Sequence, residues 1–137
     1  MKLKILTWNV RGLNAADKQM VVRSFLRDVK ADVICLQKTK KERAEGDWVK
    51  EIWGGRFLEW ECLSARGASG GILICWDRRV VAREDVEIGG YSVTCLFKCI
   101  EDDLRWAFTG VYGPTGSSKR GEFFDELVSV AFRWEVP

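Results

Sequence analysis

The sequence contains no histidine. Any mechanism that needs an imidazole base, or an imidazole ligand to a metal, is excluded for this chain by itself. It also lacks a C-x-x-C pair, which argues against a structural zinc site. The five cysteines are an odd number, and Cys35, Cys75, Cys95 and Cys99 stand in apolar runs. They read as small buried hydrophobes in a reducing compartment rather than as a disulfide framework. No stretch reaches the roughly 18 uninterrupted apolar residues of a membrane span, so no membrane partner is expected. Neither sign of charge dominates: 22 basic residues against 20 acidic leave a net +2. That balance indicates a nucleic-acid partner only if a local basic rim exists. Met1-Lys2-Leu3-Lys4 runs directly into a strand pattern. No signal peptide is read there, and an intracellular location, cytoplasmic or nuclear, is expected.

What is present is an alternating α/β pattern over 137 residues, the length of one domain or part of a larger one. Residues 3–10 read as a buried strand, and Gly12 marks a turn. Asn14 or Asp17 is expected to cap the helix that follows. Over residues 17–30, Val21, Phe25 and Val29 recur at i, i+4 and i+8 with Val22 and Leu26 beside them, one apolar helix face. Residues 32–37 form a short apolar run that fits a parallel strand. A short helix is expected over 47–53, ended by Gly54-Gly55. From residue 56 the period changes to that of strands, at 57–62, 70–77, 80–88, 91–100 and 104–112, and reads as an antiparallel meander. Residues 119–134 predict a last helix with Phe123, Phe124, Leu127, Val128 and Ala131 inward. Such a chain suggests mixed sheets with helices outside. Trp134-Glu135-Val136-Pro137 looks like the start of one more strand.

Four stretches contain residues suited to chemistry. Asn9 ends the first strand, where its neutral amide can hydrogen-bond a phosphate oxygen or a metal-bound water; a turn-forming role before Gly12 is the alternative. Lys38 stands at the carboxyl end of the second strand, between Gln37 and Thr39. The carboxyl ends of parallel strands are where ligands bind in open α/β sheets. Arg66-Gly67-Ala68-Ser69-Gly70-Gly71 offers small residues that allow close approach to a phosphate, or simply an inter-strand turn. Tyr112 ends a strand before Gly113-Pro114, and either points its hydroxyl into a site or packs in the core.

Taken in order, Trp8-Asn9-Val10-Arg11-Gly12-Leu13, Cys35-Leu36-Gln37-x-Thr39-Lys40, Ser69-Gly70-Gly71-Ile72-Leu73 and Val111-Tyr112-Gly113-Pro114 resemble the endonuclease/exonuclease/phosphatase family. The pattern is most similar to the endonuclease domains of plant non-LTR retrotransposons, with apurinic/apyrimidinic endonucleases more distant. The resemblance covers residues 3–137 and about the first half or more of the family domain. It implies an incomplete four-layer α/β sandwich, two mixed β-sheets flanked by helices, with residues 1–137 forming one truncated domain. It also implies Mg²⁺-dependent hydrolysis of a DNA phosphodiester. On that pattern Asn9 matches the asparagine near the metal and the scissile phosphate, and Tyr112 the tyrosine that contacts the phosphate. Arg11 and Lys40 fall near the DNA-facing rim, with Arg66, Ser69 and Thr115 as further backbone contacts.

Three departures bear on activity. Lys38 occupies the place of the family's metal-binding glutamate. Mg²⁺ takes hard oxygen ligands, often one or two carboxylates. An ammonium at ~4 Å from a dication, in an effective dielectric of ~20, is repelled by roughly 8 kcal/mol. The family's later G-D-F-N and S-D-H segments have no counterpart. Thr115 stands where relatives often carry asparagine. The implied reading is a retrotransposon-type DNA endonuclease whose copy here is inactive. A non-catalytic nucleic-acid-binding remnant is the alternative, and a phosphoinositide or sphingolipid phosphodiesterase is a third reading. An unpartnered sheet face and open edges would also favour aggregation.

Overall fold

The computed structural model describes residues 2–40, 47–54, 56–63, 71–113, 120–131 and 133–137, with the side chains of Asp47 and Glu51 left aside. Its elements run β1 (Ile5–Asn9), α1 (Ala16–Val29), β2 (Val33–Gln37), α2 (Asp47–Ile52), β3 (Leu58–Leu63), β4 (Ile72–Asp77), β5 (Val81–Ile88), β6 (Ser92–Cys99), β7 (Arg105–Val111) and α3 (Arg120–Ala131). The opening is a βαβ unit: β1 and β2 pair in parallel, with Ile5 opposite Val33 and Asn9 opposite Gln37.

The strands after β2 do not form one meander. β3 and β4 pair with each other and join the first sheet through β2, in the order β1-β2-β4-β3. β5, β6 and β7 form a separate antiparallel sheet. Among the described residues, then, only the first sheet is mixed. Local alternation fixes that a segment is a strand, but not which sheet it joins.

Burial divides along the pleat. On one face of β2, Ile34 and Leu36 pack with Val22 and Leu26 of α1 and Val49 and Ile52 of α2. On the other, Val33 and Cys35 pack with Val93, Cys95 and Phe97 of β6. The layers are helices, sheet, sheet and then α3, an α/β sandwich. Trp76 and Phe97 meet edge-on across the inter-sheet core, their ring centroids 5.2 Å apart. All five cysteines are buried and free, and burial pushes the thiols of Cys35 and Cys95 up to about 12.

Both long helices turn differently from their periodicity. On α1 the fully buried positions are Val22 and Leu26, whereas Val21 is 58% and Phe25 43% exposed. Phe25 lies at the margin, its ring 4.9 Å from that of Trp8. Neither Asn14 nor Asp17 caps α1. Ala15 is the cap, without a side-chain bond, and the Asn14 amide donates to the Lys40 carbonyl at 3.0 Å instead. None of the side chains described on α3 is fully buried, and Phe124 and Val128 lie more than half exposed. A polar clasp holds this helix: Glu126 accepts hydrogen bonds from the backbone N–H of Gly90 (2.7 Å) and Tyr91 (3.0 Å) and from the Ser92 hydroxyl. Tyr91 adds a bond from its phenol to Glu122. Its ring also meets that of Phe123 edge-on.

Candidate functional site

Three strands finish at one end of the sandwich. Asn9 is the last residue of β1 and stands opposite Gln37, the last residue of β2. In parallel register, paired residues share a face. Trp8, one residue earlier, belongs to the helix-side core, so Asn9 and Gln37 face the second sheet. The Gln37 side-chain amide uses that orientation to reach β7, donating to the Val111 carbonyl at 3.1 Å. Tyr112 follows immediately. It is half-buried, its ring packs on the inter-sheet core, and its N–H donates to the Tyr91 carbonyl. The fold thus brings the ends holding Asn9, Lys38 and Tyr112 to one edge, although Tyr112 lies 74 residues beyond Lys38 in the chain.

The two sheets approach closely here because residue 110 is glycine. A Cβ at Gly110 would stand 2.9 Å from Cys35 Sγ and 2.9 Å from Ile72 Cγ2. Contacts that short are not tolerated without movement.

Beyond the strand ends, the segments 10–14 and 38–40 zip together. The Gly12 N–H donates to the Lys38 carbonyl at 2.6 Å, and the Leu13 N–H to the Thr39 carbonyl at 2.9 Å. Five non-glycine residues of the described chain adopt left-handed backbone, and three of them fall in these segments: Arg11, Lys38 and Lys40, each at φ 56°. Each such residue costs about 1–2 kcal/mol. Strain of this kind persists where surrounding bonds over-determine the backbone, and it clusters at functional sites. All three are cationic, and all three are exposed. The Lys40 stem lies over Gly12, where a Cβ would be 3.4 Å from Lys40 Cδ. The result is a cationic rim on a stiff double loop. Arg66, Ser69 and Thr115 lie outside the described residues.

This architecture has close structural counterparts. The AP endonuclease LMAP of Leishmania major superposes with a TM-score of 0.69 at 21% identity, over 92% of this chain and 46% of that one. An endonuclease/exonuclease/phosphatase family protein of Bacteroides thetaiotaomicron does so at 0.68 and 12% identity, over 98% and 58%. D. rerio TDP2, solved with a single-strand DNA product, gives 0.67 at 19%, over 97% and 56%. The fold is that of the endonuclease/exonuclease/phosphatase structures. In sequence, 68 residues are 35% identical to an exodeoxyribonuclease of Bacillus subtilis (strain 168), half of this chain and 26% of that protein. No family model matches the chain. The chain spans about half the length of the solved structures it superposes on, and the sequence match covers about a quarter of the exodeoxyribonuclease.

Within this endonuclease/exonuclease/phosphatase-type fold, the described residues of the shared edge do not present a donor set for Mg²⁺. The described residues that meet there are Asn9, Gln37, Lys38 and Tyr112. Among the described residues no group of three or more His, Cys, Asp or Glu is placed to hold a metal. Mg²⁺ is bound through carboxylates and water, so these residues do not fit it. With exposed cations at Arg11, Lys38 and Lys40 on the adjoining segments, their chemistry suits an anion better than a dication. Two supporting residues are less legible from sequence. Gln37 acts as a brace between sheets, and Asn14 ties the two loops rather than capping a helix. A polar side chain at a strand end signals such a role only weakly, because its partner is remote in the chain.

Proposed function

We propose that this chain is the first half of a retrotransposon-type DNA endonuclease domain, and that this copy does not hydrolyse DNA. The observation that carries the reading is the position of Lys38. It follows the β2 terminus, beside Asn9 and on the edge shared with Tyr112, where the family resemblance calls for a metal-binding glutamate. A cation there opposes Mg²⁺ by Coulomb repulsion and contributes no ligand. The family's later acid and histidine segments would belong to a continuation of the domain. Supercoiled plasmid incubated with the protein and Mg²⁺ tests this, with Lys38→Glu in parallel. The expected result is no nicking by the protein as written. Nicking that rises with protein concentration and stops with EDTA would overturn the proposal.

A second reading is favoured by the rim itself. Arg11, Lys38 and Lys40 are exposed cations on one rigid double loop, which suits a non-catalytic hold on a nucleic-acid backbone. If three phosphates are neutralised, log K falls with log salt at a slope of about −2.7 on duplex DNA. Fluorescence anisotropy of a labelled duplex across a salt series reads this slope. A flat response, or no binding at low salt, would remove the reading.

A further inference from the structure

A second cationic site stands at the opposite end of the first sheet. The structure contains a groove of about 710 Å³ between the carboxyl ends of α1 and α2 and the strand ends at Asp32, Leu58 and Asp77. Asp32 precedes the first residue of β2 and Lys38 follows the last, so the length of β2 separates groove and rim by about 17 Å. The groove volume falls in the range of small-molecule sites, about 300–1,000 Å³.

Its walls are of two kinds. Arg23, Arg27 and Lys30 of the α1 end line it together with Arg79. Two carboxylates also line it. Asp77 is bound by Arg79, at 2.6 Å and 3.0 Å, and Asp32 accepts the Lys4 backbone N–H at 2.9 Å. The carboxyl end of α1 adds about half a negative charge. Against these stand four cations, of which only Arg79 has an acidic partner among the described residues. Arg23 also lines the groove, and its Nε–H is buried without an acceptor among the described residues. Such a donor is costly when left unmade, so a small turn of the Arg23 side chain toward an anion in the groove would be favoured. The rest of the lining is largely apolar, with Trp53, Phe57, Leu26 and Ile52. The Arg79 guanidinium covers Phe57 at 4.3 Å from the ring centroid, leaving Trp53 as the aromatic surface free of a stacked cation among the described residues.

We propose that this groove binds a nucleoside phosphate, its phosphate on Arg23, Arg27 and Lys30 and its base against Trp53. Neither half of the site explains the other: an inorganic anion has no use for the apolar wall, and an uncharged ring system leaves the arginines unmet. The site does not depend on the function proposed for the Lys38 edge.

The test is amide-detected NMR of the ¹⁵N-labelled chain titrated separately with AMP, adenosine and inorganic phosphate. In the groove AMP is expected to shift residues 23–31, 53–54 and 77–79, phosphate to shift the arginine side only and more weakly, and adenosine to shift none at the same concentration, whatever shifts occur at the Lys38 edge. The double variant Arg27→Gln/Lys30→Gln changes two exposed residues and is expected to weaken AMP binding, read from the groove signals, at least tenfold. Equal binding of adenosine and AMP would overturn the proposal. So would phosphate matching AMP, shifts confined to residues 9–14 and 37–40, or no shift with millimolar AMP.

Discussion

The side-chain amide of Gln37 and the backbone carbonyl of Val111 are joined by a 3.1 Å hydrogen bond across 74 residues of sequence. The bond ties the end of β2, in the mixed sheet, to the end of β7, in the antiparallel one. It fixes the separation between the backbone carrying Lys38 and that carrying Tyr112, and so sets the width of the edge where an anion would sit.

Removing this brace has a measurable cost. Gln37→Ala leaves a partly buried carbonyl without its partner, which destabilises by about 1–2 kcal/mol. Urea unfolding followed by tryptophan fluorescence reads the change. An unaltered midpoint would show that the bond does not contribute.

The close approach of the sheets depends on Gly110. Gly110→Ala places a methyl 2.9 Å from both Cys35 Sγ and Ile72 Cγ2, and overpacking of this kind costs about 1–3 kcal/mol. Cys35→Ala removes one of the two obstructing atoms. The double variant is expected to be at least about 0.5 kcal/mol more stable than the sum of the single changes predicts. Strict additivity would mean that the two positions do not touch.

α3 is held by Glu126 rather than by a buried apolar face. Glu126→Ala removes a charged acceptor from two backbone N–H groups and a hydroxyl, a loss of about 1.5–3 kcal/mol. Hydrogen exchange is expected to rise across residues 120–131 while β6 stays protected. Uniform exchange across the chain would contradict this local role.

Alkaline pH should destabilise the fold through its thiols. Burial raises Cys35 and Cys95 to about 12 and Cys62 to about 11, against about 8.5 in an unfolded chain. Below that unfolded value both states hold the proton and stability is unaffected. Above it the unfolded state ionises first, so stability falls as pH climbs towards the folded values, by up to about 1.4 kcal/mol per pH unit per thiol. Denaturant midpoints between pH 8 and pH 11 measure the slope, and Cys95→Ala is expected to reduce it. An unchanged slope would mean that Cys95 does not resist ionisation.

The elements themselves were legible in the sequence, because the apolar period of each segment is local. The βαβ start, the short second helix, the five later strands and the last helix all follow from it. Which face of a helix docks was less so. On α1 the rows Val21/Phe25 and Val22/Leu26 are equally apolar, and only the sheet's position decides that the second is buried. On α3 the apolar face has little to pack against, and an acidic residue with backbone partners holds it instead. The allotment of β3 and β4 to the first sheet was likewise beyond local pattern. At the candidate site, the strand ends carrying Asn9, Lys38 and Tyr112 could be named from sequence. The brace from Gln37, the tie from Asn14 and the left-handed backbone at Arg11, Lys38 and Lys40 could not, since each depends on a partner far along the chain.

The central claim is that Lys38 makes this edge a site for an anion and not for a divalent metal. Amide-detected NMR in the presence of Mn²⁺ tests it directly, because a bound paramagnetic ion broadens nearby signals selectively. The account predicts no selective broadening at Asn9, Gln37, Lys38 or Tyr112 in the protein as written. Selective loss of those signals at micromolar Mn²⁺ would contradict it.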